Sequence, residues 1–488
     1  MSIEQFVKSR QEMQDLADGL YPLTAQSTCN VVRYKQTVFD STFFELGRMN
    51  INRCGLNATF NVEDIEHRIY SAITGEELFP FNLPEFQEWR KREEIPFVFN
   101  HKGHDLPNTR VNDYRPLPNN FTQWDEDLRA FTKEYRNVRL TREFGVEQTI
   151  LANSQGGILI ESRPFWALYY RQGYGPHLVS RGLGAYVSSA EDINRLPRLI
   201  QYIPDPTPDG RIRHSATFTE AFAHLYEISK TIVFENLTQA NLSQQLTHDA
   251  IMLCGVPIHE IFGHQFEEPI EPIPVGQQSL FPIGKNIQNP NIVLSDTPNL
   301  KLEGLNVLGG YAFDAYGRPS RETVHISDGI VKNHLGAEYV DAKNLPTFLG
   351  IEQSEFLGNA RQGTDGLFPQ ARMSCTTLQG LAVENGSWEK KVLMMPSHGY
   401  VLEGNFFKLI ASECYILGDD GEPKRIGPLE GSRAIYDAVM GMHILPETSY
   451  HIGNCSKPCA LDDGHDAEIT VSTFTNNQLW ENLTLRAI

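Results

Sequence analysis

Two histidines five residues apart enclose a glutamate in the segment His259-Glu260-Ile261-Phe262-Gly263-His264, and that spacing constrains the backbone more than any other feature of the chain. The familiar zinc-peptidase pattern separates its histidines by four residues, which places both on one face of a helix. Five residues on an ideal helix turn the second histidine about 140° from the first, too far round for both to reach one ion. For the pair to act together the helix must be distorted. One inserted residue, a π-bulge, returns both side chains to one face, and Gly263 supplies backbone freedom. Pro257 suits the first turn of a helix, where its missing N–H has no partner to lose. A helix beginning there carries His259 and Glu260 in its early turns. Two buried, hydrogen-bonded histidines with no ion would read the same way.

A catalytic zinc takes three protein ligands and keeps a further position for water, so a third ligand must come from elsewhere. The segment from His451 to Cys459 offers Cys455, because a thiolate binds zinc strongly and the neighbouring Lys457 favours its deprotonated form. The competing arrangement is a closed zinc site of His451, Cys455, Cys459 and His465, whose spacings lack the usual close cysteine pairs. Weaker signals remain. His398 and Tyr400, in a Ser-His-Gly-Tyr turn, could stabilise an oxyanion, although a surface histidine in a turn is ordinarily idle. Cys254 reads as a buried core thiol. Glu267 and Glu268 could bind a substrate amine, with a solvated pair at a helix end as the simpler reading.

With 488 residues the chain exceeds one ordinary core, and two or three domains are expected. Its 61 acidic residues against 42 basic give a formal charge of −19, which excludes nucleic acid as the main partner, since duplex binding needs clustered Lys and Arg. The first ten residues lack the basic patch and apolar stretch of an export signal. No segment approaches the roughly 18 apolar residues of a membrane helix. The expectation is a cytoplasmic protein with no membrane partner. Seven cysteines, sparse and odd in number, suit reduced thiols rather than a disulfide framework.

Local patterns sketch the organisation. Residues 105–121, rich in Pro and Asn, read as an irregular loop, and residues 124–135 as a charged helix. The runs from Glu147 to Asn153 and from Ile158 to Arg163, joined by Ser154-Gln155-Gly156-Gly157, predict a hairpin, with Trp166 to Tyr170 continuing its β character. Ser188, three residues ahead of Glu191, has the pattern of a capping box. Phe218, Ala221, Phe222 and Leu225 share one helical face. Beyond about residue 290 the chain turns to short extended runs bounded by Gly, Pro or Asp. The expected fold is α+β: an N-terminal mixed α/β domain over residues 1–235, then a β-rich C-terminal domain over residues 236–488 that carries the metal-binding helix.

Together these segments resemble the TldD/PmbA family of metallopeptidases, specifically its motif-bearing TldD-type subunit. The resemblance rests on four stretches: Pro257 to His264; Tyr311 to Pro319; Gly404 to Phe407 with Cys414 to Leu417; and Gly453 to Lys457. It covers the C-terminal half and extends more weakly to the Asn153–Gly156 turn. It implies zinc held by His259, His264 and Cys455, with Glu260 as catalytic base beside the metal-bound water. It also implies a zinc-dependent peptidase acting on unfolded proteins or peptide precursors, and a chamber-like homodimer or a heterodimer with a related subunit lacking the motif. The alternative is a non-catalytic, peptide-binding or chamber-forming partner subunit of such a peptidase. The chain departs from the family at Tyr316, where an acidic residue is common, and at Ser456, where Gly usually follows the metal cysteine.

Overall fold

The computed structural model describes residues 7–25, 29–64, 69–74, 110–153, 157–232, 247–267, 279–315, 317, 319–336, 359–361, 370–383, 388, 391–402, 405–458 and 466–488. Two large, mostly antiparallel sheets dominate them. The first is built on long hairpins: β1 (Cys29–Glu45) with β2 (Arg48–Asp64), and β5 (Val138–Asn153) with β6 (Ile158–Gln172). β3 (Ile69–Thr74) lies beyond β2, and β7 (Val179–Tyr186) pairs with β6. The expected hairpin is present, with Ala152 opposite Ile158 and the ladder continuing to Val138 opposite Gln172. Residues 110–114, read above as part of a loop, instead form β4 (Arg110–Tyr114), parallel to β6. Val111 there packs with Leu151 and Leu159, an apolar anchor that the flanking Pro and Asn obscured.

Short helices cover this sheet. α1 (Arg10–Ala25) precedes it; α2 (Asp125–Glu134) and α4 (Phe218–Ser229) lay Leu128, Phe131, Phe218, Ala221, Phe222 and Leu225 into a core with Trp166 and Tyr170. Thr217 caps α4, its side chain accepting the Glu220 amide. α3 (Ala190–Arg195) starts one residue later than the capping pattern placed it. Ser189 accepts the Asp192 amide, and Asp192 accepts the Ser188 amide in return. Each fully buried large apolar side chain of this core is worth about 1.5–3 kcal/mol.

The C-terminal half is β-rich, as expected. Its sheet contains β8 (His248–Met252), β9 (Ile292–Asp296), β12 (Thr323–Ser327), β13 (Ile330–Val331), β16 (Cys375–Gly380), β17 (Val392–Leu402), β18 (Phe406–Leu417), β19 (Pro423–Ile426), β20 (Leu429–Ala434), β21 (Met442–Pro458) and β22 (Asp466–Ala487). β8 pairs with both β17 and β22, so β8, β17, β18, β20 and β22 close into a small barrel. Alternate residues of β8 serve opposite sides: Ala250 and Met252 join the cluster holding Ile258, Ile261, Phe262 and Phe266, while Ile251, with Leu253 just past the strand's end, joins another with Leu393 and Tyr415. The two halves interlock. A hairpin of β10 (Lys301–Leu302) and β11 (Leu305–Val307) extends the first sheet through β7. The two-residue strands β14 (Ala360–Arg361) and β15 (Gln370–Ala371) pair separately. No described helix is long and apolar enough to cross a membrane.

Candidate metal centre

The motif follows directly on β8. At Gly255 the chain passes so close to β22 that a Cβ would stand 2.5 Å from Thr473 Cβ; only glycine fits. Pro257 has helical torsions (φ −59°, ψ −36°), and a π-helical turn spans Ile258–Phe262. The Gly263 amide bonds the carbonyls of both His259 and Ile258, the second across five residues. This widened turn is the inserted residue that the histidine spacing demands. A 3₁₀ turn, Gly263–Phe266, follows. Ile258, Ile261, Phe262 and Phe266 are buried in the barrel-side cluster, which anchors the distorted segment by its apolar face.

The polar face converges. Ligand-capable atoms of His259, Glu260 and His264 all lie within 4.8 Å of one another, and the two imidazole centroids are 5.0 Å apart at 74°. His259 is buried, with Nδ1 3.1 Å from Thr376 Oγ1. His264 Nδ1 lies 2.9 Å from Glu267 Oε2, and its Nε2 3.6 Å from Glu260 Oε2. Burial pushes the Glu260 carboxyl up, but the adjacent His264 and His259 imidazoles outweigh it and hold the group below the ordinary carboxylate range. Glu267 is not the solvated helix-end residue of the sequence reading. It is buried, accepting from Arg372 Nη1 at 3.1 Å and from the Met373 amide at 3.2 Å.

The residues present fit a zinc ion. His259 Nε2 is buried with no hydrogen-bond partner, a costly state for a polar atom unless an ion fills it. Both histidines turn Nδ1 to a neighbouring oxygen, the arrangement by which metal-bound imidazoles are usually oriented. Two imidazoles with an adjacent carboxylate are zinc-type donors.

The third expected ligand, Cys455, occupies a place on β21 opposite Ile469 of β22; its side chain lies outside the described residues. One residue beyond Ile469, the Thr470 carbonyl accepts from Arg361 Nη2, and the same guanidinium bonds the Met373 carbonyl. Of the rival closed site, Cys459, His465 and the Cys455 side chain lie outside the described residues. His451 is held neutral, burial first and then the Arg181 charge pushing its pKa down to about 4. Glu268 is also outside them. Cys254 is a buried core thiol, pushed up to about 12 by burial.

His398 and Tyr400 sit exposed on β17, with His398 Nδ1 3.0 Å from Ser397 Oγ. Gly399 between them passes the site closely, since a Cβ there would stand 3.5 Å from Glu260 Cβ. Sequence reasoning missed Thr376, Met373 and Arg372 altogether. Glu267 was singled out for a substrate amine rather than as a partner of His264, although its place three residues on is a spacing at which helical side chains meet.

No family model matches this chain, and no curated protein matches it. Solved structures do. TldE from Thermococcus kodakarensis superposes with a TM-score of 0.57 at 14% identity, over 96% of this chain and 99% of that one. A candidate modulator of a DNA gyrase from Thermotoga maritima gives 0.55 at 14% identity, covering 98% and 100%. Another, from Bacteroides thetaiotaomicron, gives 0.53 at 10% identity, covering 97% and 99%. At such identities the likeness establishes a shared fold, and it runs over nearly the whole length of each chain.

Proposed function

We propose that this chain is a zinc-dependent peptidase of the TldD/PmbA family, the motif-bearing TldD-type subunit, acting on unfolded proteins or peptide precursors. The observation that carries the reading is the convergence of two imidazoles on Glu260, with His259 Nε2 buried and unpartnered. The family motifs read from the sequence and the shared fold with TldE support it. His259 and His264 would hold the ion, with Cys455 as the third ligand. Bound there, zinc supplies a Lewis acid that lowers the pKa of water and polarises a carbonyl.

The chain's own groups do the rest. Glu260, ionised and half-buried beside both histidines, takes a proton from the attacking water and returns it to the leaving nitrogen. Thr376 and Glu267 hold the imidazoles in place. The reading includes a homodimer or a heterodimer with a related subunit. A cytoplasmic location accords with Cys254, Cys375 and Cys414, all buried and unbridged.

Glu260→Gln preserves the shape of the site and removes the base. The variant should keep stoichiometric zinc and lose hydrolysis of a disordered test peptide by roughly 100-fold or more; full activity would refute the assignment. The competing role, a non-catalytic chamber or peptide-binding subunit, would be favoured by wild-type chain that holds one zinc yet cleaves nothing, alone or with a partner.

A further inference from the structure

The stretch that leads into β16 supports both histidines from behind. Arg372 and the Met373 amide hold Glu267, which meets His264 Nδ1. Thr376 Oγ1 stands 3.1 Å from His259 Nδ1 and donates to Met373 Sδ at 3.2 Å. We propose that Met373 and Thr376 are positioning residues of the metal centre: together they fix His259 as the tautomer that offers Nε2 to the ion, and Met373 ties the supports of both histidines into one unit. The inference rests on the zinc reading of the site and extends it to residues more than a hundred positions from the motif.

The argument is one of proton counting. A threonine hydroxyl has a single proton, and a thioether sulfur has none and only accepts. With the Thr376 proton directed to Met373 Sδ, the hydroxyl oxygen faces His259 Nδ1 as an acceptor. The imidazole proton therefore sits on Nδ1, and the lone pair falls on Nε2, the nitrogen that is buried without a partner. Without the sulfur the hydroxyl could reverse, donate to Nδ1 and favour the opposite tautomer, which cannot bind metal through Nε2. Glu267 gives His264 the same instruction through charge, its carboxylate paired with Arg372 and accepting at Nδ1.

The sulfur reaches this position because Gly263 has no side chain. A Cβ on Gly263 would stand 2.0 Å from Met373 Sδ, so the thioether lies directly against the end of the π-turn. Met373 is 1% exposed and Thr376 likewise 1%, so water does not compete for the hydroxyl. One methionine thus joins three parts of the site: its amide to Glu267, its sulfur to Thr376, and its carbonyl to Arg361.

The test uses the full chain and reads zinc affinity by chelator competition, with the visible absorption of the Co²⁺-loaded protein as the second readout. Thr376→Val keeps the shape and removes the acceptor; zinc affinity should fall roughly 10- to 100-fold and the cobalt bands should shift, while Thr376→Ser restores both. Met373→Leu conserves volume and removes the sulfur; affinity should fall about tenfold. Because Met373 acts on His259 through Thr376, adding Met373→Leu to Thr376→Val should cost little further affinity. Thr377→Val, on the same strand with its hydroxyl bonded to the Ser295 carbonyl, controls for loss of a buried hydroxyl and should leave affinity unchanged. Wild-type affinity and an unshifted cobalt spectrum in Thr376→Val would overturn the proposal, as would full additivity of the two changes. Should Thr376→Val fail to fold, Met373→Leu alone decides by the same two readouts. A wild-type chain that takes up neither zinc nor cobalt is a different failure, one that removes the centre itself and the inference with it.

Discussion

At Gly263 the backbone is helical, with φ −55°, so an alanine would suit the torsions and improve intrinsic helix propensity by up to about 1 kcal/mol. The same methyl would overlap the Met373 sulfur at 2.0 Å, and overpacking of this kind costs about 1–3 kcal/mol. Gly263→Ala is therefore expected to lower stability by about 1 kcal/mol, net of the propensity gain, and to weaken zinc binding by displacing Met373. Urea unfolding with a chelator titration checks both, and a variant as stable as wild type would show that the thioether moves aside freely. The histidine spacing was legible as a demand for a widened turn because periodicity is local. The reason for the glycine was not: flexibility was expected there, whereas the structure shows close approach by a residue 110 positions away. Thr376 was invisible for the same reason, since nothing in a buried threonine's surroundings along the chain says which ring it will meet.

Among elements, those fixed by short-range patterns were readable: the β5–β6 hairpin, the α4 face, and the helix over residues 125–134. The α3 cap slipped by one because Ser188-x-x-Glu191 and Ser189-x-x-Asp192 satisfy the same pattern, and only the tertiary placement of Ser189 and Asp192 chooses between them. The turn after the motif carries a pH dependence. Phe266 stacks on His325 of β12 at 4.6 Å and lies 5.1 Å from His334. Burial pushes His325 down to about 3 and His334 down to about 4 from an ordinary 6.5. Between those values and 6.5 the unfolded chain binds more protons than the folded one, so stability falls as pH falls from 6.5 toward 4. His334 Nε2 lies 2.7 Å from the Phe281 carbonyl, a bond a glutamine amide can also make. His334→Gln should flatten part of the acid limb in unfolding measured from pH 4 to 7; an unchanged slope would show that other groups set it.

For the whole molecule the question is what couples the two sheets. Arg181 of β7 and Glu413 of β18, 232 residues apart, form a bidentate pair at 2.7 and 2.8 Å, with side chains only 1% and 2% exposed. Tyr415 donates to the same carboxylate at 2.7 Å. Burial pushes Glu413 up, but the Arg181 charge and the hydrogen bonds from Arg181 and Tyr415 outweigh it and hold the carboxyl below its ordinary range. No sequence pattern announces such a pair: each residue stands singly in its strand, and their meeting depends on the docking of one sheet on the other. The resemblance to a known family implied a ligand, Cys455, at a comparable distance from the histidine motif, yet it carried no information about this contact. Arg181→Met leaves a buried carboxylate without its partner and frees the Pro204 carbonyl that Arg181 Nε now bonds. The expected loss is about 3–5 kcal/mol, seen as a lowered urea midpoint for the whole chain rather than for one half. Glu413→Gln, which keeps the shape and removes the opposite charge, should be similarly harmful alone. Arg181→Met combined with Glu413→Leu removes both charges and should recover much of that loss, because apolar pairs of similar volume replace buried ion pairs at little or no cost. Additive losses in the double variant would mean that the pair's geometry, rather than the danger of leaving one charge behind, is what holds the sheets in register.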